Sequence, residues 1–564
     1  MQRISDDPRP GNATGTTGAP AATRPPRRFA ARWRVLAWAG GLLFAAAGLF
    51  TLYLRQSLLA PFNADGASNM LQAQAMLHGN LLLKGWWSAD VSFYTTELPE
   101  YMLVQAVRGL RPDVVHICGA LTYTLTVLLG AMLARGRARG REGVVRALLA
   151  GGIMLAPAIL GGTEIFLENP DHAGTAVPIL AVFLLLDRAP ERWYVPAAVC
   201  VLLAWIQVGD ELTLVAATAP IAAIAVFRLA MLAVWRRPLR EYRYDAMLLA
   251  AAAVSNELAN LAQKAIDRLG GFDLRPLPQQ LIAPMSQVRA HIHAMLQSIL
   301  LLFGAYNPGR AHSPLDPIAA LHWIGLGLAA AGLAVAVATF VLSRTDRVSQ
   351  IVAAAALATL VAGVFGTLVQ TLANAHEVAI LLPFGAVLAG RMLPPLVPAR
   401  WRTAHPALLT GAVTPVLAAW LGALLAALCY AAIWTPMTPP EQQLVTWLTS
   451  HHYTDGLAEY WQGSTTTVAS GGRVLVAPIT PVTLQVRRWE SATGWYDPGQ
   501  RTANFVIAAT DPTVAPGGLS VPAVRAHFGR PAREYVVGMY VVMVYDYNLL
   551  TRVSGDAFPG PPGP

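Results

Sequence analysis

Asp65, Asn69 and Gln72 recur at i, i+4 and i+7, so a helix through this stretch puts one carboxylate and two amides on one face. Ala67, Met70, Leu71 and Leu77 then turn away. A carboxylate at the edge of a low-dielectric region gains proton affinity and can act as a general base, taking the proton of a hydroxyl as that hydroxyl attacks. The run Asn63, Ala64, Asp65 is also good helix-capping chemistry, which is the other use open to Asp65. The same stretch, 61–101, carries Asp90, Glu97 and Glu100 as well. Glu97 and Glu100 flank Pro99 and are candidates for binding substrate or a cation, or for simple solvation. Trp86 and Trp87, with Phe93 and Tyr94, offer a platform for a sugar or lipid, or an anchor at a membrane interface.

A second cluster holds Glu164, Glu168, Asp171 and His172. Oxygen and imidazole donors spaced within five residues suit Mg2+ or Mn2+ with a phosphate ligand, so Glu168, Asp171 and His172 form the candidate metal set. A polar turn would use the same residues without a metal. Asp210 with Glu211, and His376 with Glu377, are further polar turns or sites. Arg289, His291, His293 and Arg310 lie in one later segment, where guanidinium groups could grip a phosphate; the alternative is a solvated interfacial helix.

These groups need elements to hold them, and composition says which. Of 564 residues, 55% are hydrophobic and 13% charged, with a mean hydropathy of +0.45. Such a chain is a polytopic membrane protein rather than a soluble domain. Its net charge of +9 comes mainly from short Arg clusters between apolar segments, without the basic patch and interleaved aromatics of a nucleic-acid binder. Cys118, Cys200 and Cys429 all fall inside apolar segments and read as small buried hydrophobes.

Eleven α-helical spans are expected, at 35–54, 114–134, 147–161, 174–187, 194–208, 212–235, 245–265, 316–342, 349–370, 377–396 and 407–434. Residues 1–33 read as a disordered basic tail, and the Arg-rich runs at 135–146, 236–243, 343–347 and 398–402 place that tail and alternate loops in the cytoplasm. The acidic loops 55–113 and 162–173 and the long segment 266–315 are then external. The middle of that segment, 281–302, mixes polar and apolar residues as an amphipathic interfacial helix would. Residues 436–555 change character and read as a small extracytoplasmic α/β domain: a helix at 441–450, and strands around 465–470, 473–478, 483–487, 504–508 and 534–545. Residues 556–564 form a frayed tail. No internal repeat of the transporter kind is found.

With its eleven spans, an acidic residue opening a large first external loop (Asp65), a second acidic external loop (Glu168 to His172) and a trailing external domain, the chain resembles the GT-C class of integral membrane glycosyltransferases. That class includes the protein mannosyltransferases, the aminoarabinose transferase of lipid A and the oligosaccharyltransferases. The resemblance implies a polyprenyl-phosphate sugar as donor, Asp65 as catalytic base or a ligand to it, and Asp171, with Glu168 or His172, as the second acidic motif, which binds metal in the oligosaccharyltransferase branch. Here Asp65 is followed by Gly66 rather than a second acid. The last domain holds no WWD-type acceptor motif, its nearest aromatic clusters lying at 460–462 and 494–498. The expected acceptor is therefore an extracytoplasmic glycan or lipid. A transporter or lipid flippase is the alternative, with Glu257 and Lys264 in the seventh span as its ionisable pair. A scaffold presenting the last domain is a further one, and it leaves the acidic loops without a role.

Overall fold

The computed structural model describes residues 27–159, 161–275, 282–306, 317–340, 346–396, 414–511 and 518–553. The expected tails lie outside these residues, except that 27–33 begin the first helix. By its contacts the chain divides into residues 1–48 and 49–564, and apart from the first part of the first helix the larger unit holds every feature discussed below.

Helix α1 spans Arg27–Ser57, and the first loop carries α2 (Ala64–Leu77) and α3 (Leu98–Arg108). There follow α4 (Asp113–Arg135), α5 (Gly140–Met154), the short α6 (Gly162–Phe166), α7 (Ala176–Arg188), α8 (Tyr194–Gly209) and α9 (Ala219–Val234). Then come α10 (Arg243–Arg268), α11 (Met285–Leu302), α12 (Pro317–Phe340), α13 (Arg347–Phe365), α14 (Leu381–Met392) and α15 (Thr414–Ala432). Each expected span overlaps one of these helices, with residues 160, 316, 341–342 and 407–413 of the expected spans lying outside the described residues and the span expected at 147–161 helical only to Met154. Among the described residues, five helices are long and apolar enough to cross a bilayer alone: α4, the continuous Leu214–Val234, α12, α13 and α15. The pair Leu372–Val378 and Leu381–Leu396, bent by 52°, would make a sixth. The remaining matches agree with the expected spans in position only.

In lipid, helices associate through close packing rather than through a hydrophobic force, which favours small residues at crossings. A Cβ on Gly332 of α12 would stand 2.5 Å from the Ala389 nitrogen of α14, so these backbones touch. On the other side of α14, a Cβ on Gly390 would stand 2.6 Å from the Arg146 carbonyl of α5. The next residue, Arg391, is buried at the end of α4 remote from the first loop. It donates to the Leu133 carbonyl (2.6 Å), Asp187 (2.9 Å), Asp346 (2.7 Å) and Ser349 (2.9 Å), tying four helix ends together. Helix α11 takes the place of the expected interfacial helix, but it is not merely interfacial: Val288, His291, Met295 and Ser298 are buried.

The last domain opens with α16 (Glu441–Ser450), as the sequence suggests. Strands β2 (Asp455–Ala458), β3 (Leu475–Pro478), β5 (Phe505–Ala509), β6 (Arg533–Val537) and β7 (Tyr540–Val544) form one sheet in the order β3-β2-β5-β7-β6. Neighbours of β2 run parallel to it, and the other two pairs are antiparallel. Two expected strands are corrected. Residues 465–470 lie in and just after helix α17 (Tyr460–Ala469), where Thr465 and Thr467 turn their hydroxyls onto carbonyls four residues back and Glu459 caps the start. Their β-branched pattern misled because those hydroxyls are satisfied within the helix. Residues 483–487 make only an isolated bridge, Ile479 to Val486.

This domain is not held by its tether alone. Trp86–Trp87 form strand β1, antiparallel to β4 (Ser491–Ala492) of the last domain. Trp86 meets Trp495 edge-on at 5.2 Å, Trp87 faces Tyr496, and the Arg488 guanidinium sits over Trp87. The tryptophan pair expected at a substrate or a membrane surface therefore forms the seam between the first loop and the last domain. α2 packs against α17, where Ser68 bonds Ser464.

Replacing Arg391 with Ala leaves Asp187 buried without its main partner. The expected loss is about 3 kcal/mol of stability, read as a lowered thermal midpoint of the purified protein in detergent micelles.

Candidate active site

Helix α2 starts beside the seam. Asn63 is its cap: the side-chain oxygen accepts from Gly66 N at 2.9 Å and also from Asn169 Nδ2 at 2.7 Å. Asp65 is thereby released from capping, stands in the first turn where the helix dipole favours an anion, and accepts from the Tyr460 hydroxyl at 2.7 Å. Of the two uses open to Asp65, the cap belongs to Asn63. A Cβ on Gly66 would stand 2.7 Å from Val115, which explains why no larger residue follows Asp65.

One turn along, Asn69 donates to Asp171 at 3.1 Å. The structure thus joins the two acidic loops through the face that the i, i+4 spacing marks. Asp171, buried, is pushed up to about 8 by burial and then by Asp65, with His172 and the Asn169 bond opposing. Asp65, half-buried, is also raised by burial; Tyr460, Arg487 and His172 counter it. Gln72 is buried on the same helix, its side-chain oxygen without a hydrogen-bond partner among the described residues. Glu168 is raised by burial and by the neighbouring acids Glu164, Asp65 and Asp171.

His172 follows with a left-handed backbone (φ +50°), a conformation uncommon outside glycine and frequent where a side chain must be aimed. Its Nδ1 lies 3.1 Å from Asp210 and its Nε2 3.5 Å from Glu377. The ring stacks on His376 at 5.5 Å and meets Phe93 edge-on. Burial alone would lower the proton affinity of His172, but Glu377, Asp210 and Asp171 outweigh it, so the imidazole is held well above its ordinary range as a cation. Asp210, against the effect of burial, is held down by His172, Thr175 and the Leu212 amide. Behind this turn sits Glu97, buried, its Oε1 3.3 Å from the Thr175 hydroxyl that bonds Asp210 at 2.7 Å; a Cβ on Gly174 would stand 2.5 Å from that Oε1. Glu97 therefore buttresses the 171–175 turn. Glu100 faces α4, accepting from Thr122, and burial raises it to about 7.

The candidate metal ligands regroup. Among the described residues, the donor atoms that converge belong to His172, His376 and Glu377, all within 4.8 Å of one another. Glu168 and Asp171 are outside that group. A narrow cleft runs beside it, polar where His172, Thr175, Asp210, His376 and Glu377 line it and apolar beneath, at Ile179, Val215, Leu368 and Ile380. Arg289 is exposed on α11 and His291 is buried in its packed face. Among the described residues no hydrogen bond joins either to the acidic cluster, and Arg310 lies outside those residues.

Arg487, which acts on Asp65 together with His172, lies over the Tyr460 ring at 4.9 Å and pairs with Glu459 at 3.2 Å. Tyr460 also bonds Glu490. Tyr460, Arg487 and Glu490 all come from the last domain and carry no local motif.

The chain is a bundle of membrane helices with a trailing α/β domain docked on the first loop, a polytopic fold shared with known structures. Two solved structures have it: ArnT from Cupriavidus metallidurans in the apo state (TM-score 0.54, 12% identity, 92% of this chain and 100% of that one), and the same protein bound to undecaprenyl phosphate (TM-score 0.52, 12% identity, 92% and 99%). At this identity the likeness is one of fold. No protein-family model and no curated protein sequence matches the chain.

Glu100 supplies a pH test of this buried acidic packing. Its folded proton affinity is raised from 4.5 to about 7, so its contribution is full below pH 4.5 and is lost as pH rises toward 7. Glu100→Gln should be the more stable form at pH 8, by about 3 kcal/mol, with the gain vanishing near pH 4 in thermal melts. A gain independent of pH would contradict this.

Proposed function

We propose that the chain is a membrane glycosyltransferase that moves a sugar from a polyprenyl-phosphate carrier to an extracytoplasmic glycan or lipid. The observation that carries this reading is the convergence of Asp65 and Asp171, from two separate loops, in a fold shared with a protein solved with undecaprenyl phosphate. The loop charges support an amino terminus in the cytoplasm, with the acidic loops and the last domain outside.

In this reading Asp65, ionised, takes the proton of an acceptor hydroxyl as its oxygen attacks the anomeric carbon. The bond from that carbon to the carrier phosphate breaks, and its electron pair leaves on the phosphate. Attack opposite the leaving group inverts the sugar. The His172 imidazolium, aimed by Asp210 and Glu377, offsets the charge growing on that phosphate. Phosphate in the polar part of the cleft would leave the carrier chain against Ile179, Val215 and Ile380.

A divalent cation could take the place of the imidazolium proton: with His172 neutral, His172, His376 and Glu377 would present two imidazoles and a carboxylate at ligand spacing. Two nitrogen donors suit Zn2+ or Mn2+ better than Mg2+. When bound, such an ion would act as a Lewis acid toward the phosphate.

The transport reading loses its ionisable pair: Glu257 and Lys264 are both exposed on α10 rather than enclosed by other helices.

Asp65→Asn, expressed at normal level in cells lacking the native copy, should lower transfer at least about 100-fold, measured as surface glycan or modified lipid. Unchanged product would sink the assignment of Asp65. For the cation, dialysed protein given Zn2+ or Mn2+ should retain about one ion per chain by mass spectrometry, and His376→Ala should retain none. Equal retention by both would remove this site.

A further inference from the structure

The Tyr460 hydroxyl has one hydrogen and two carboxyl neighbours. It lies 2.7 Å from Asp65 Oδ1 and is hydrogen-bonded to Glu490 Oε2 as well. Were both carboxyls ionised, Tyr460 could donate to only one, and the other contact would set two oxygen lone pairs against each other. One carboxyl must therefore carry a proton and donate it to the tyrosine oxygen.

We propose that Asp65 and Glu490 share a single proton through Tyr460, with the proton resident on Glu490, so that the last domain keeps Asp65 ionised and fixes the direction of its free oxygen. That this serves a base rests on the function proposed above; the sharing itself rests on the geometry. The surroundings decide where the proton sits. Glu490 is 3% exposed, and the groups acting on it are Tyr460 and three further carboxyls, Asp65, Asp171 and Asp90. Burial and that negative neighbourhood push it well above the usual carboxylate range. Asp65 is less enclosed and faces two cationic groups, Arg487 and His172, besides Tyr460. Carboxyl pairs in which one holds the proton for both are a known consequence of like charges in one buried place.

The tyrosine is held for this purpose from several sides. It is the first residue of α17, capped by Glu459. Arg487 covers its ring, and Trp461 meets it edge-on at 5.4 Å. Glu490 stands on a left-handed backbone (φ +45°) immediately before β4, the strand that binds the first loop. Docking of the last domain and delivery of the Tyr460–Glu490 pair to Asp65 are thus one event. Tyr460 and Glu490 are positioning residues acting through Asp65.

The test reads protons rather than turnover. Infrared difference spectra of the purified full-length protein in detergent, recorded between pH 5 and 9, report the C=O stretch of protonated carboxyls. At pH 7, Glu490→Gln, a near-isosteric change, should remove one such band from the wild-type spectrum. In Asp65→Asn the Glu490 band should stay, but its midpoint should fall by about one pH unit or more, because a like charge has gone. Tyr460→Phe, which keeps the ring, should also displace that midpoint. A spectrum unaltered by Glu490→Gln would overturn the placement of the proton. A band lost in Glu490→Gln but unmoved by Asp65→Asn would overturn the sharing. Should the bands behave as expected while Asp65→Asn keeps full transfer activity, the base assignment fails and the shared proton stands.

Discussion

Taking a carboxylate out of water costs several kcal/mol unless hydrogen bonds or an opposite charge replace the lost solvation, and this chain collects Asp65, Asp171, Asp210 and Glu490 in one region. Each has a dedicated answer. Asp210 has His172 and Thr175, Asp171 has Asn69, and Asp65 has Tyr460 with Arg487 nearby. Glu490 is answered by protonation. The surrounding architecture follows from this requirement, because the answering groups come from two loops and the last domain.

The last domain is accordingly part of the site rather than cargo. The β1–β4 pairing and the Trp86–Trp495 contact fix it on the first loop, and from that position it supplies Tyr460, Arg487 and Glu490. At the far end of α4, Arg391 performs a comparable task, answering two carboxylates while locking helix ends. Between these polar knots the helices meet through glycine and alanine, at spacings where a methyl group would collide with backbone.

Much of the fold was legible in the chain because membrane insertion writes it locally. Apolar runs of bilayer length marked where helices lie, and the 441–450 helix and the strand character of 534–545 followed from their patterns, although the structure folds the latter into the β6–β7 hairpin. Local pattern failed at 465–470, where threonine hydroxyls find partners inside a helix, and at Trp86 and Trp87, whose amphipathic rings suit a membrane surface and a protein seam equally. Charge type also singled out Glu168, Arg289 and His291 for a phosphate or metal, whereas the donors that converge among the described residues are His172, His376 and Glu377.

The sequence by itself determined the membrane-embedded class, the positions of the helices, and the helical face that carries Asp65 and Asn69, because all three depend on spacing within one segment. Whether Asp65 caps its helix or faces a cluster was left open by spacing, since the Asn63–Asp65 run serves both. Tertiary structure decided it: Asn63 takes the cap, and a tyrosine 395 positions away takes Asp65. Periodicity cannot reveal such a partner, since a contact at that separation is set by how β4 and α17 dock on the first loop.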